Sequence, residues 1–189
     1  MTALEPINVP QAAKLLVRDF MLLCEAGTFA DYAKSELIDG EIFCMNAIWA
    51  AHARIQSRLS RACWKGVDEA GLGLEVFSPV SIQLDESSMP EPDVILAEDH
   101  RSGPVPAAKI RLIIEVSDST LETDLGRKAA LYARHGVAEY WVVDIEGKRI
   151  IQMWQPSGEA YAEQREVAFG DVVRAATLAG LVVETRGLV

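Results

Sequence analysis

Two acidic residues stand inside apolar runs. Glu115 interrupts Leu112-Ile113-Ile114-Glu115-Val116, and Asp93 follows Pro92 and opens Asp93-Val94-Ile95-Leu96. An ionised carboxylate in such a run is costly unless a cation or hydrogen-bond donors compensate it. Alternate residues of a strand share a face, so Glu115 points with Ile113 and Ser117, and Asp93 with Ile95. If the two strands are neighbours, both acids meet near one sheet end. Two carboxylates and a backbone carbonyl suit a hard divalent ion, which commonly takes substrate phosphate and water as its remaining ligands. Lys128 lies on a following helix, where its ammonium would orient an attacking water and stabilise charge on a pentacovalent phosphate.

Each of these residues also has a structural explanation. Asp124, Lys128 and Tyr132 are spaced four apart on one helix face, and Asp124 with Lys128 makes an ordinary ion pair of ~0.3–0.5 kcal/mol. An acid at a strand start, like Asp93, is common in turns. A glutamate among aliphatics of a central strand is much less so.

The elements that must position these residues follow from periodicity. An apolar face predicts a helix over Pro10 to Ala26, stopped by Gly27. Glu36 to Phe43 reads as a hairpin about Asp39-Gly40. Ile48 to Ala70 reads as a long helix with Ile48, Ile55, Leu59 and Cys63 on its apolar stripe and His52 in line with them, as a core-edge histidine. Arg54, Arg58, Arg61 and Lys65 form a second stripe on that helix. It is either a solvated face or a phosphate-tracking ridge. Gly71 to Leu84 reads as strand, Ser78-Pro79 break, strand. Pro92 to Ala97 is a further strand, Glu98 to Lys109 a loop, and Arg111 to Ser117 a strand. Ser119 to Glu122 fits a capping box, starting a helix at Thr120 that Gly136 stops. Glu139 to Ile145, Arg149 to Trp154, Tyr161 to Val167 and Leu178 to Val183 complete the strands. Strand, helix, strand from Leu112 to Ile145 has the size of a βαβ crossover. With hairpins on either side, it predicts an α/β fold: a mixed sheet flanked by helices.

The chain has 189 residues, half of them hydrophobic and 24% charged, as expected of one globular domain over residues 1–189 with a sizeable core. No apolar run reaches a membrane span, and the first residues carry no basic secretory signature, which points to the cytoplasm. Cys24, Cys44 and Cys63 form no CxxC pair, which excludes a zinc ribbon and leaves three buried free thiols as the expectation. The net charge of -10 is a poor match to bulk phosphate attraction. Any nucleic-acid partner must be drawn by a local basic patch or a bound metal.

Pro92-Asp93 followed by Glu115-Val116-Ser117 resembles the PD-(D/E)xK signature of restriction-endonuclease-like nucleases. The wider set is closer to the Uma family, long catalogued as a bacterial domain of unknown function and associated with endonucleases. That set comprises Glu36-Leu37-Ile38-Asp39-Gly40-Glu41, His52, Pro92-Asp93-Val94, Ile114-Glu115-Val116-Ser117, Ser119-Thr120, Asp124, Lys128, Tyr132, Gly136-Val137 and Glu139-Tyr140-Trp141. The resemblance runs from about Glu36 to Trp154. It implies the restriction-endonuclease-like αβββαβ core. It also implies a metal pair of Asp93 and Glu115, the Val116 carbonyl as third ligand, and Glu36 as an extra acid near the metal. Glu41 and His52 carry over as supporting positions. Ser117 stands where the ExK pattern has lysine, and the resemblance puts the migrated lysine at Lys128.

These expectations converge on an endonuclease, a hydrolase that uses Mg2+ or Mn2+ and metal-activated water to cut DNA. The alternative is a catalytically silent nucleic-acid-binding or assembly protein on the same fold. Exposed apolar edges in the last strands would make it a homodimer, the commonest oligomer.

Overall fold

The computed structural model describes residues 12–46 and 49–188. In chain order the elements are α1 (Val17–Glu25), the hairpin β1 (Lys34–Ile38) and β2 (Glu41–Met45), α2 (Ala50–Ala70), β3 (Glu75–Phe77), β4 (Ile82–Gln83), β5 (Val94–Ala97), β6 (Val105–Pro106) and β7 (Ile110–Ser117). A composite helix follows: α3 (Leu121–Thr123), a π turn (Asp124–Lys128) and α4 (Ala129–Arg134). Then come β8 (Glu139–Asp144), β9 (Arg149–Ser157), β10 (Ala160–Ala168), β11 (Val172–Arg174) and β12 (Val182–Glu184).

Six strands form the central sheet in the order β10-β9-β8-β7-β5-β3. Only β7 and β8 run parallel, joined by the composite helix, and the other neighbours are antiparallel. The succession α2, β3, β5, β7, composite helix, β8 is the expected αβββαβ arrangement. Alternation along the strands sorts the core onto two faces. Ile114, Val116, Trp141 and Val143 pack under α2 through Ile55, Leu59, Cys63 and Val67. Ile113, Tyr140 and Val142 pack under α4 through Leu131 and Tyr132.

The hairpin turns where expected. Asp39 and Gly40 both have positive φ, 53° and 75°, as a two-residue type I′ turn requires. A Cβ on Gly40 would lie 2.8 Å from the Cβ of Lys14, so the turn also lets the preceding chain lie against it.

Several expectations are corrected. Helix α1 begins at Val17. Its predicted start at Pro10 lies outside the described residues. Residues 12–16 are not helical, because Leu15 N–H donates to Gly40 O and Val17 N–H to Glu86 O. Ile48, the expected start of α2, also lies outside the described residues. No capping box forms at Ser119. Thr120 is the N-cap, and its hydroxyl donates to Asp124 Oδ2 and accepts no helical N–H. The loop over 98–109 contains β6, which pairs in parallel with β4, and a 3-10 turn over Ala107–Lys109. Leu178 to Leu181 is a turn. The last strand is Val182–Glu184, paired with the unforeseen β11.

Of the cysteines only Cys63 is buried, and burial pushes its thiol up to about 12. Cys24 and Cys44 are exposed. The edge strand β10 presents Glu163, Arg165 and Glu166 to solvent. The apolar edge expected of the last strands is therefore a charged one, which opposes edge-to-edge pairing. Among the described residues no helix is long and apolar enough to cross a membrane.

Candidate active site

The acids are positioned by strand register. β5 and β7 pair with Val94 opposite Ile114 and Ile95 opposite Ile113. One further step of the same register sets Asp93 opposite Glu115. Asp93 Oδ2 accepts the Val116 N–H at 2.7 Å and faces His52 Nε2 at 3.2 Å. The Asp93 carbonyl is held by Gln56 Nε2 at 2.9 Å and Ser78 Oγ at 2.8 Å. His52 and Gln56 are one turn apart on α2, so a single helix face clamps the start of β5.

Glu115 is fixed from the opposite side of the sheet. Its Oε1 accepts Lys128 Nζ at 2.9 Å and Tyr132 OH at 2.7 Å. Lys128 Nζ also donates to Glu36 Oε1 at 3.1 Å, and that oxygen receives the Glu91 N–H at 2.7 Å. Glu36 enters from β1, where Lys34, two residues before it on the same face, sits 3.5 Å from Glu36 Oε1. Asp93, Glu115, Glu36 and Lys128 are all buried.

The ordinary Asp124–Lys128 ion pair does not form. Asp124 Oδ2 is taken by the hydroxyls of Ser117 and Thr120, each at 2.6 Å. The residues between them adopt a π turn rather than regular α-helix. The wider i→i+5 turn accompanies a lysine turned toward the β1 and β7 carboxylates.

Burial, the largest influence on Glu115, pushes its carboxyl up to about 7, against the pull of Lys128 and Lys34 and with help from the Asp93 charge. Burial works the same way on Asp93, but the His52 contact and the Lys34 charge outweigh it and hold Asp93 below the usual range. Glu36 is also held low, since Lys128 and Lys34 overcome its burial. Burial would lower both lysines, but the surrounding carboxylates raise them. The hydrogen bond to Asp93 raises His52 against its burial.

These groups line one cavity of about 370 Å³. It contains Asp93, Glu115, Val116, Glu36, His52, Asp124 and Lys128 among the expected residues. Tyr132 stands behind Glu115. Lys34, Gln56 and Ser78 were not expected. Lys34 left a signal in its i, i+2 relation to Glu36 on a strand, and Gln56 in its i, i+4 relation to His52 on a helix. Glu41 stands apart in exposed bonds to Lys14 and Arg127. The basic stripe is also apart. Arg54, Arg58, Arg61 and Lys65 are exposed and do not line the cavity. Arg58 donates to Gly187 O, and Lys65 pairs with Glu69.

The donor chemistry fits a hard divalent cation. Among the described residues no hydrogen bond reaches Asp93 Oδ1 or Glu115 Oε2, although the other oxygen of each acid is held. Each carboxylate is thus anchored by one oxygen and retains the other. Among the described residues no cluster of three or more His, Cys, Asp and Glu is gathered as a metal cage. Two carboxylates with a carbonyl and substrate oxygens do not need such a cage.

A family model described as "Uma2: Putative restriction endonuclease" matches residues 17–186. A search of curated proteins gives no match. Among solved structures, the chain is similar to the crystal structure of "a putative nuclease belonging to DUF820" from Anabaena variabilis ATCC 29413. The identity is 16% and the TM-score 0.60, covering 82% of this chain and 88% of that one. At that identity the likeness shows the fold.

Proposed function

We propose, from the premise that this chain belongs to the Uma2 family of "putative restriction endonuclease" proteins, that it is a divalent-metal-dependent endonuclease hydrolysing DNA phosphodiester bonds. The whole chain acts as one domain. The observation that carries this reading is the pair of opposed strand acids, each anchored through one oxygen, in one cavity with Lys128. Asp93, Glu115 and the Val116 carbonyl would hold Mg2+ or Mn2+. When bound, the ion supplies Lewis-acid chemistry toward the phosphoryl group and toward water.

The protein's own groups do the positioning. The Val116 N–H and His52 fix Asp93, and Tyr132 fixes Glu115. A lysine ammonium has three donors, and Lys128 uses two on Glu36 and Glu115. The third remains to orient water or a phosphoryl oxygen. Lys34 and Lys128 also offset repulsion between the buried carboxylates and an incoming phosphate.

The test is cleavage of supercoiled plasmid with Mg2+ or Mn2+. Asp93→Asn, Glu115→Gln and Lys128→Met should each lose activity by a factor on the order of 100 or more. Wild-type rates in all three variants would end this assignment. The second reading is a catalytically silent nucleic-acid-binding or assembly protein. It is favoured by the internal hydrogen bonds that already occupy one oxygen of each acid. DNA binding with no metal-dependent cleavage by the wild type would select it.

A further inference from the structure

The mouth of the cavity is unlike its floor. The floor holds buried acids and lysines, whereas the more exposed Phe43, Met45 and Trp49 line the outer part. Trp49 is 71% exposed, the most exposed large hydrophobic residue among those described. It is the N-cap of α2, a position that favours Ser, Thr, Asp or Asn, and its side chain makes no cap. Neither burial nor capping accounts for an indole there. Three residues further along α2, His52 touches Asp93. Residues so spaced are neighbours on a helix surface, so Trp49 stands about one turn from the histidine that touches Asp93. In the same lining the Phe43 ring is covered by the Arg127 guanidinium, 4.4 Å from its centroid, while the guanidinium is itself held by Glu41 and Ile38 O. One aromatic of the lining is therefore already stacked, and the other is open.

The charge distribution narrows the occupant. A chain of net charge -10 gains little from tracking a phosphate backbone. The arginine stripe of α2 falls roughly half a turn around the helix from His52 and Gln56 at 100° per residue. With that stripe turned away, the outer part of the cavity offers contacts that do not depend on phosphate charge. Base-on-aromatic stacking is such a contact, and it needs an unpaired base with a free face.

We infer that Trp49, with Phe43 and Met45 lining the same cavity, is a stacking subsite for an unpaired nucleobase next to the phosphate held at Asp93 and Glu115. This rests on the nuclease reading and deepens it. The preferred substrate is a single strand, or a strand locally unpaired at a flap, bubble or frayed end, rather than intact duplex.

The test separates binding from cleavage. Fluorescence anisotropy of end-labelled oligothymidylate is measured in chelator, without divalent ions, on the full-length protein. An abasic oligomer of the same length and a duplex serve as competitors. Wild type should bind the oligothymidylate about tenfold more tightly than the abasic strand, the scale of one base–aromatic stack. Trp49→Ala should remove that preference and Trp49→Phe should retain most of it. Trp64→Ala, with its indole about four turns further along the same helix, should change nothing. Equal affinity of wild type for the base-bearing and abasic strands overturns the subsite, as does an unchanged preference in Trp49→Ala. Loss of the preference in Trp49→Ala supports it even if the wild type cleaves nothing, an outcome that would instead count against the nuclease reading.

Discussion

Two glutamates lie buried in neighbouring strands, and their surroundings give them different work. Glu139, fully buried at the start of β8, accepts from Trp141 Nε1, Gln152 Nε2, the backbone N–H groups of Ala176 and Thr177, and the Thr177 hydroxyl. Those donors tie the segment after β11 to the sheet, and both oxygens are spent. Glu115 spends one oxygen on Lys128 and Tyr132 and faces a cavity. Glu139→Gln would turn a donor toward backbone N–H groups and should cost about 3 kcal/mol in urea unfolding while leaving metal response intact. Glu115→Gln should cost less stability, because burial already disfavours its charge, and should remove the metal response. A larger stability loss in Glu115→Gln than in Glu139→Gln would contradict this division. In the sequence Glu115 was legible as an anomaly within an aliphatic run. Glu139 was not, because its partners come from residues up to 38 positions away.

At the scale of elements, the π turn between α3 and α4 separates the expected from the observed helix. The four-residue spacing of Asp124, Lys128 and Tyr132 correctly grouped three buried residues on the site side of the helix. Spacing could not show that Asp124 bonds back to Ser117 and Thr120, because those bonds depend on where the helix enters from β7. Asp124 therefore acts as a staple at the base of the helix, and Tyr140 OH on its carbonyl adds a second hold at 3.0 Å. Asp124→Ala should destabilise the protein by about 2–3 kcal/mol, leaving two hydroxyls without their acceptor. It should also reduce cleavage by letting Lys128 drift from Glu36 and Glu115. Plasmid nicking alongside urea denaturation checks both. Full activity in a destabilised Asp124→Ala would separate the turn from the site. The capping-box expectation failed for a related reason: the Thr120 hydroxyl donates to Asp124, and no helical N–H donates to it.

For the whole molecule, a metal that binds the native state alone must raise the melting temperature. Mn2+ or Mg2+ at 100 times its dissociation constant should stabilise the wild type by about 2.7 kcal/mol and leave Asp93→Asn unmoved in a thermal melt. The mixed sheet and its crossover were legible because periodicity marks β7, the helix and β8 over a short span. The charged edge of β10 and the pairing of β11 with β12 were not, because alternation alone does not say which strand has a neighbour. The distances in sequence within the site also rank its contacts by the chain entropy of closing them. Lys128 and Glu115 are 13 residues apart inside one β–helix–β unit, whereas Lys128 and Glu36 are 92 apart. Closing the short loop costs less chain entropy than closing the long one. The pairing of the buried lysine with its strand partner is thus the contact of lower closure entropy, and the hairpin carboxylate is the one brought from far along the chain. The hairpin that brings this distant carboxylate also brings Phe43 and Met45 to the cavity lining.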